Sequence, residues 1–409
     1  MRNRRSFIKS LGIASIAVPV VKKSMFTRTS EDYWTSIKAL FYTHDTSPIL
    51  NLNTGSAGIM PRPIKEAYLE NISIVNQHAP YEVKAINQQV VNDSLSRLAQ
   101  IAGCHSEDLA LVRNTTEAIN AILYGIQWAP GDEIIVSNID YPSALFTIEH
   151  LSARHGIHIN TIDIDPSNDD PATILSKYEK AITSQTRLLL LTYVTHREGL
   201  VLPVKDICMM SRSKNVQTLV DGAHALGQIP HSISDLACDY YATSLHKWLY
   251  APLGSGMLYV SKNLIPEIHP PNSFNPALAH KMDKFTNLGT LNFAKAMTLP
   301  AVIDFNEAIE IDRKFQRLKA LQAYTIEGLN EIGHVNINSQ PDHSCGIVSF
   351  NMQEKEYWGN KIAKELAKHG IHAKPTGYKG NSFVRITLNL HLDESDIDRL
   401  LSVIEEMAG

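Results

Sequence analysis

The sequence has few cysteines, and neither its cysteines nor its histidines follow a metal-binding pattern. The cysteines are Cys104, Cys208, Cys238 and Cys345, with no C-x-x-C pair, and the 17 histidines include no H-E-x-x-H motif. Zinc sites and disulfide frameworks rely on such spacing, so neither is indicated. No apolar run approaches the roughly 20 residues that span a bilayer as a helix. We therefore expect no bound metal and no stable membrane span.

An excess of charge of either sign is also lacking. Lys and Arg total 38 against 42 Asp and Glu, giving a formal net charge of −4, and no long basic run occurs after the first residues. Nucleic acid is therefore not expected as a partner. The length of 409 residues predicts two or three domains, and the composition, 44% hydrophobic and 20% charged, is typical of a soluble globular protein.

The N-terminus combines two arginines with a short apolar run. Arg4 and Arg5, within Arg-Arg-Ser-Phe-Ile-Lys, precede apolar residues 11–21. This pattern resembles a twin-arginine export signal, and its apolar part is too short for a membrane anchor. A basic, frayed arm is the alternative. We predict a signal segment at 1–24, with a periplasmic or exported location or otherwise a cytoplasmic one, and an N-terminal arm at 25–50.

Short apolar runs alternate with helical patterns through the middle of the chain. The runs are 109–113, 133–138, 158–164, 187–194, 217–221, 239–243 and 256–261. Nearly continuous apolar strands with helical crossovers indicate a mostly parallel sheet covered on both faces. A Pro- and Asn-rich stretch follows residue 262, then a long helical pattern at 292–332 and a strand–helix–strand–helix pattern.

The predicted fold class is therefore α/β. We expect a large domain at 51–290, with a mostly parallel seven-stranded sheet flanked by helices, and a smaller C-terminal α+β domain at 291–409.

Polar residues follow three of the predicted strands, at the sheet edge where open α/β sheets bind ligands. Asn114-Thr115-Thr116-Glu117 opens a helix, with Asn114 as N-cap and Glu117 at N3, and the helix N-terminus favours a phosphate. Asp221 ends one run, where a carboxylate can hold a proton on a heteroaromatic nitrogen. Lys247 follows the next run, where desolvation lowers an amine pKa and makes the amine nucleophilic toward an aldehyde.

Each of these features has a simpler interpretation when it stands alone. They are a plain helix cap, an Asp-Gly turn and a surface lysine. Together, in this chain order, they supply the three anchors that pyridoxal phosphate needs.

The stretch 185–262 and these anchors resemble the class V aminotransferase family of fold-type-I pyridoxal-phosphate enzymes. The resemblance covers roughly residues 50–405, and Ser-x-His-Lys at 244–247 with the upstream Asp221 is its specific element. It implies pyridoxal 5′-phosphate as cofactor, a small amino-acid-like substrate and a homodimer with shared active sites. Within the family, the chain most resembles the isopenicillin-N-epimerase-like / cysteine-desulfurase-like branch, and Tyr141, His196 and Asp-Gly-Ala-His at 221–224 look more like its epimerase-like members.

The resemblance assigns roles around the cofactor. It implies that Lys247 forms the Schiff base and moves the α proton, while Asp221 pairs with the ring nitrogen. Tyr141 falls where relatives stack a ring on the cofactor, with a strand-end tyrosine of the core as the alternative. His196 stands where desulfurases usually carry Asn. The other implied cofactor ligands are Thr115, Thr116, Ser244 and His246 at the phosphate and His224 beside the ring oxygen.

Three further segments resemble substrate or partner elements of the family. Arg385 resembles the carboxylate-binding arginine, for which a planar guanidinium is suited. Asn53 and Ser56 lie in a Gly-rich segment resembling the substrate-facing loop. Thr290 resembles the residue that reaches the phosphate of the neighbouring subunit. An ordinary strand arginine and simple turns are the alternatives.

The reaction type stays open at the level of sequence. The loop 375–381, where desulfurases carry a nucleophilic cysteine, has none, so desulfuration is disfavoured. We expect chemistry at the α carbon of an amino acid, epimerase- or racemase-like or transamination, with a β- or γ-eliminating lyase as the alternative. A non-catalytic cofactor-binding protein would not need Lys247. A dinucleotide-binding oxidoreductase would need G-x-G-x-x-G, and residues 114–116 contain no glycine.

Overall fold

A computed structural model describes residues 30–41, 49–286, 289–352, 358–378 and 380–408. The predicted twin-arginine segment, residues 1–24, lies outside these ranges. Within them, no helix has both the length and the apolar character that crossing a membrane requires.

The strands of the described chain are β1 (Leu50–Asn51), β2 (Leu109–Val112), β3 (Glu133–Ser137), β4 (His158–Ile162), β5 (Thr186–Thr192), β6 (Gln217–Asp221), β7 (Tyr240–Thr243), β8 (Gly256–Val260), β9 (Val335–Ile337), β10 (Ile347–Met352), β11 (Ile371–His372), β12 (Lys374–Tyr378) and β13 (Asn381–Thr387). The helices are α1 (Ser30–Lys38), α2 (Arg62–Gln77), α3 (Pro80–Ala102), α4 (Thr115–Leu123), α5 (Pro142–His155), α6 (Pro171–Ala181), α7 (Val204–Ser213), α8 (Ile233–Leu236), α9 (Leu245–Trp248), α10 (Phe293–Met297), α11 (Leu299–Ile309), α12 (Ile311–Ile332), α13 (Gly359–Lys368) and α14 (Glu394–Ala408).

A seven-stranded sheet forms the centre of the described chain, in the order β2-β8-β7-β6-β5-β3-β4. Strand β8 runs antiparallel to both neighbours, and the other pairs are parallel. This confirms the predicted α/β class with a mostly parallel sheet. Because parallel strands end at the same edge, the residues after β2, β5, β6 and β7 meet there.

Burial on both faces explains why these strands read as continuous apolar runs. In β5, Leu189 and Leu191 pack into one hydrophobic core, whereas Leu188 and Leu190 pack into a second. Alternate side chains of a strand point to opposite faces, so the two cores lie on opposite sides of the sheet.

A smaller antiparallel sheet, β12-β13-β10-β9, lies in the C-terminal part with a core of its own. The predicted long helical pattern at 292–332 is wrong in one respect, because it divides into α10, α11 and α12. Pro300 stands in the first turn of α11, where proline is tolerated, and Glu310 takes a φ of 67° between α11 and α12. A residue in that conformation interrupts the helix.

Strand β1 connects the N-terminal side of the chain to this C-terminal part. It pairs in parallel with β11, and Leu52 N donates to His372 O at 2.8 Å. Thr387 N then donates to Leu52 O at 2.7 Å, at the end of β13. The Gly-rich segment 52–58 is thereby held between the small sheet and the edge of the large one.

Candidate active site

The carboxyl edge of the large sheet opens onto a cavity of about 220 Å³. Most of the predicted site residues line it: Ser56, Thr115, Thr116, Tyr141, His196, Asp221, His224, Ser244, His246, Lys247 and Arg385. Thr192 at the end of β5 and Lys374 on β12 also contribute. The topology therefore gathers residues from both ends of the chain around one space.

Lys247 lies in α9, the short turn that follows β7. Its Nζ lies 3.1 Å from His224 Nε2. Burial lowers the pKa of Lys247 to about 8, and Arg385 and Lys374 lower it further, while Asp221 opposes the shift. An appreciable fraction of this amine is therefore unprotonated near neutral pH, as a nucleophile toward an aldehyde requires.

His224 is held by Trp248 in a defined protonation state. Trp248 Nε1 donates to His224 Nδ1 at 3.3 Å, and an indole nitrogen can only donate. Burial, chiefly, lowers the pKa of His224 well below its ordinary value, so the ring is neutral. Its proton therefore lies on Nε2 and points to Lys247 Nζ, which can accept it only in the unprotonated form of the amine.

Asp221 ends β6 and is buried. Ala223 N donates to its Oδ1 at 3.0 Å, and Oδ2 has no hydrogen-bond donor among the described residues. Burial raises the pKa of Asp221, while the Ala223 bond and Lys247 lower it. Gly222 is required beside it, because a Cβ there would lie 2.1 Å from the Tyr241 ring. The carboxylate is thus fixed in place and short of compensating positive charge.

The N-terminus of α4 forms another wall of the cavity. Asn114 Oδ1 accepts a hydrogen bond from Glu117 N at 2.9 Å, as predicted for the helix cap. The Glu117 carboxylate accepts from Arg113 N at 2.5 Å, whereas a capping box would place this bond at the N–H of Asn114. Ser244 Oγ accepts from Thr115 N at 3.0 Å and bonds to Thr115 Oγ1 at 2.7 Å. The helix dipole and these hydroxyl groups suit an anion.

His246 also faces this end of the cavity. Its Nδ1 lies 3.0 Å from Ser255 O, which can only accept, so Nδ1 carries a proton. Burial lowers the pKa of His246, the bond to Ser255 opposes this, and Lys247 and Lys295 lower it further. Its Nε2 therefore accepts in the neutral ring and donates only after protonation.

Arg385 lies on β13 and is 1% exposed. Its Nη1 donates to His196 O at 2.7 Å, and its Nη2 donates to Asn53 Oδ1 at 2.5 Å and Ser56 Oγ at 3.0 Å. Its Nε is buried and has no partner among the described residues. Burial lowers the pKa of Arg385 to about 10, opposed by Tyr141. A carboxylate would satisfy both the charge and the free N–H.

Tyr141 and His196 form an aromatic pair at the cavity. Their ring centroids lie 5.0 Å apart at 86°, and Tyr141 is 40% exposed, so the alternative of a core tyrosine is wrong. His196 Nδ1 is buried without a hydrogen-bond partner in the described chain. Burial, followed by Arg197 and Arg385, lowers the pKa of His196 well below its ordinary value. The ring is therefore neutral.

Two predicted substrate or partner residues lie outside this lining. Asn53 does not line the cavity, but its side chain accepts a hydrogen bond from Arg385, which does. Thr290 is exposed and lines a separate groove beside α3 and β2. A single chain therefore does not bring Thr290 to the cavity of Lys247.

Lys374 is the charged residue of this lining that the sequence does not predict. It pairs across strands with Arg385. The sequence predicts a loop at 375–381, directly after Lys374, whereas the structure forms strand β12 there, and this strand places Lys374 at the cavity.

No cysteine lines the cavity in the described part of the chain. All four thiols are free, and only Cys104 is partly exposed. Burial raises the pKa of Cys104, Cys208 and Cys345 to about 12. This agrees with the absence of a nucleophilic cysteine from the loop 375–381.

The donor set fits pyridoxal 5′-phosphate. Asp221, buried and with one free carboxylate oxygen, suits a protonated ring nitrogen. Lys247 supplies an amine for the aldehyde, and the N-terminus of α4 with Ser244 supplies a phosphate site.

Comparison with known proteins agrees with this assignment. The family model described as aminotransferase class V matches residues 51–400. Isopenicillin N epimerase of Streptomyces clavuligerus is 27% identical over 385 residues, 88% of this chain and 95% of that protein. The epimerase of Amycolatopsis lactamdurans is 30% identical over 390 residues, with the same coverage.

A solved structure shows the same fold. It is a C-DES variant with glycine covalently linked to its pyridoxal-phosphate cofactor. It superimposes with a TM-score of 0.82 at 22% identity and covers 90% of this chain and 99% of that one. The predicted fold-type-I architecture is therefore confirmed, and the chain belongs to the class V aminotransferase family of pyridoxal 5′-phosphate enzymes.

Proposed function

We propose that the protein acts at the α carbon of an amino acid and that its reaction is epimerisation or racemisation. The observation that carries this proposal is the Lys247 amine, 3.1 Å from the neutral His224, in one cavity with Asp221 and Arg385. The likeness to two proteins named isopenicillin N epimerase supports inversion at a stereocentre. It does not transfer their substrate.

Each cavity residue has a separate task in this proposal. Bound pyridoxal phosphate supplies an electron sink for negative charge that develops at the α carbon. Arg385 orients the substrate through its carboxylate, using the free Nε–H. Asp221 keeps a proton on the ring nitrogen. Lys247 takes the α proton as a general base, which its lowered pKa favours.

Inversion requires a second proton carrier on the face opposite the first. We assign this role to Tyr141, which lines the cavity and is 40% exposed. Its edge contact with the neutral His196 holds its ring in place. Lys247 and Tyr141 then exchange protons with the two faces of the α carbon.

Deuterium exchange tests the reaction type. Purified holoenzyme is incubated with single amino acids in deuterated water, and chirality, α-deuterium and keto acid are followed. Racemised, deuterated amino acid without keto acid is expected. Stoichiometric keto acid with a pyridoxamine-type spectrum would establish transamination, and loss of a β or γ substituent would establish a lyase.

The variant Tyr141→Phe tests the second proton carrier. Inversion should fall by about 100-fold or more, the usual contribution of a positioned acid or base. Exchange of one enantiomer with retained configuration should continue, because Lys247 is intact. Equal loss of exchange and inversion would contradict the role of Tyr141.

We also propose that the functional unit is a homodimer. Thr290 lies in a groove apart from the cavity of its own chain. A second copy would allow it to reach the phosphate end of the neighbouring site, as the family resemblance implies.

A further inference from the structure

Two cations line the cavity side by side. Lys374 on β12 and Arg385 on β13 are directly opposite in the antiparallel register. Directly opposite residues share a face of the sheet, with Cβ atoms about 5 Å apart. We call Lys374 and Arg385 the cation pair.

The cation pair has no acidic partner among the described residues. No carboxylate contributes to the pKa of either side chain, and neither forms a salt bridge there. Burial, followed by Arg385, lowers the pKa of Lys374. Like charges directly opposite each other destabilise a sheet, and burying the Arg385 cation without a counter-charge costs further free energy, whereas Lys374 is only partly buried. An anion bound between them would remove both penalties.

One carboxylate would satisfy Arg385 but not both cations. The guanidinium of Arg385 is anchored by His196 O, Asn53 and Ser56, which leaves its Nε–H and one Nη1–H without a partner among the described residues. Its donors therefore suit one planar group in a fixed orientation. The Lys374 side chain forms no hydrogen bond among the described residues and carries a point charge on a flexible stem.

The cofactor phosphate does not account for Lys374. The phosphate end is formed by Thr115, Ser244 and His246, and the pKa of His246 depends on Lys247 and Lys295 but not on Lys374. Lys374 instead lowers the pKa of His196, His224 and Lys247, and Arg385 lowers the pKa of the same three groups. Its charge is therefore directed to the space where substrate binds.

We propose that the substrate is an amino acid with a second anionic group in its side chain, a carboxylate or its sulfonate equivalent, bound by Lys374 while Arg385 binds the α-carboxylate. This inference rests on the proposed function for its substrate class. The binding preference itself can be measured without turnover.

The first experiment measures binding to the holoenzyme through the absorbance of its cofactor. Succinate, glutarate and adipate are compared with monocarboxylates of the same chain length. At least one dicarboxylate should bind about tenfold or more tightly than the monocarboxylate of the same chain length, as expected for one added charge-assisted hydrogen bond. Equal affinities across all three pairs would overturn the proposal.

The second experiment compares variants. Lys374→Met should abolish the preference and leave monocarboxylate affinity within about twofold, whereas Lys374→Arg should keep the preference. Lys364→Met, an exposed lysine on α13, is the control and should bind like the wild type. If Lys374→Met weakens both ligand classes equally, Lys374 helps to hold the first carboxylate and the proposal is wrong. If Lys374→Met does not fold, the preference for dicarboxylates is compared between the wild type and Lys374→Gln, which should lack it.

Turnover separates this proposal from the proposed reaction. Glutamate and aspartate should exchange their α proton faster than glutamine and asparagine, respectively. If the dicarboxylate preference is present but no acidic amino acid exchanges its α proton, the proposed reaction is wrong, whereas binding of a second anionic group by Lys374 is supported. If exchange occurs equally with acids and amides and the dicarboxylates show no preference, the reaction stands and the anion site fails.

Discussion

At the scale of single residues, the state of Lys247 depends on a chain of two hydrogen bonds. Trp248 donates to His224, and His224 in turn donates to the unprotonated form of the Lys247 amine. The sequence predicted Lys247 and Asp221 because their chemical types follow strand ends, whereas His224 was expected only from the family resemblance. It did not predict the role of Trp248, because the His224 ring lies against it only after the two segments fold together.

The lowered pKa of Lys247 predicts how fast the apoprotein takes up its cofactor. With a pKa of about 8, roughly a tenth of the Lys247 amine is unprotonated at pH 7. With the ordinary lysine pKa of 10.5, the unprotonated fraction would be below about one in a thousand. The rate of covalent attachment of pyridoxal phosphate should therefore rise with pH and level off above about pH 8. Stopped-flow absorbance measures this. Lys247→Ala is the control and should show no covalent attachment after borohydride reduction. A rate that still rises tenfold per pH unit between 9 and 10 would contradict the lowered pKa.

Trp248→Phe tests the tautomer of His224. Removal of the indole N–H removes a bond worth about 1 kcal/mol, so the preference for the Nε2–H form should fall about fivefold. Nitrogen NMR of the His224 ring in the apoprotein measures this directly. The pH at which the holoenzyme spectrum changes should shift as well.

His224→Gln provides the matched background for that variant. A glutamine amide has no tautomers, so Trp248→Phe should change the spectral pH profile little when His224 is already Gln. An equal shift in both backgrounds would show that Trp248 acts through packing alone.

At the scale of elements, the predictable parts are those whose pattern repeats. Strand β5 is predictable because its four consecutive leucines form an apolar run in the sequence. In the structure these leucines pack alternately into two cores. Strand β12 was missed because Pro375 and Gly377 interrupt its pattern, while its pairing with β13 depends on distant residues. The break at Glu310 was missed because its backbone conformation has no local sequence signal such as glycine.

Gly58 couples the segment 52–58 to the turn that carries Lys247. Its N–H donates to His246 O at 2.8 Å, and a Cβ there would lie 2.3 Å from Lys247 O. Gly58→Ala must therefore move backbone. We expect a loss of about 1–3 kcal/mol in the free energy of unfolding and a raised KM. Denaturant unfolding and steady-state kinetics measure the two effects.

Ala57→Gly is the control for Gly58→Ala, since it loosens the same segment without adding an atom. It should raise KM less. If both variants behave alike, the close approach of Gly58 to Lys247 does not matter for substrate binding.

At the scale of the whole molecule, the separation of Thr290 from the cavity predicts complementation between subunits. Lys247→Ala and Thr290→Ala chains are mixed, dissociated and reassociated. A mixed dimer then contains one site with both native residues if Thr290 acts across the interface. Activity should recover toward half of the wild-type value per mixed dimer, since one of its two sites is native.

Light scattering supplies the accompanying measurement. The native mass should be twice the 45.5 kDa of one chain. A monomeric active enzyme, or mixed samples no more active than their separate components, would show that Thr290 has no role across an interface.

The hydrogen bond from Arg385 to Asn53 joins residues 332 positions apart in the chain. Strand β1 likewise finds its partner, β11, only near the C-terminus. During synthesis, β1 cannot pair until β11 (Ile371–His372) has left the ribosome. The carboxylate-binding wall is therefore among the last parts to assemble, and a chain truncated before residue 385 lacks it however well its large sheet has folded.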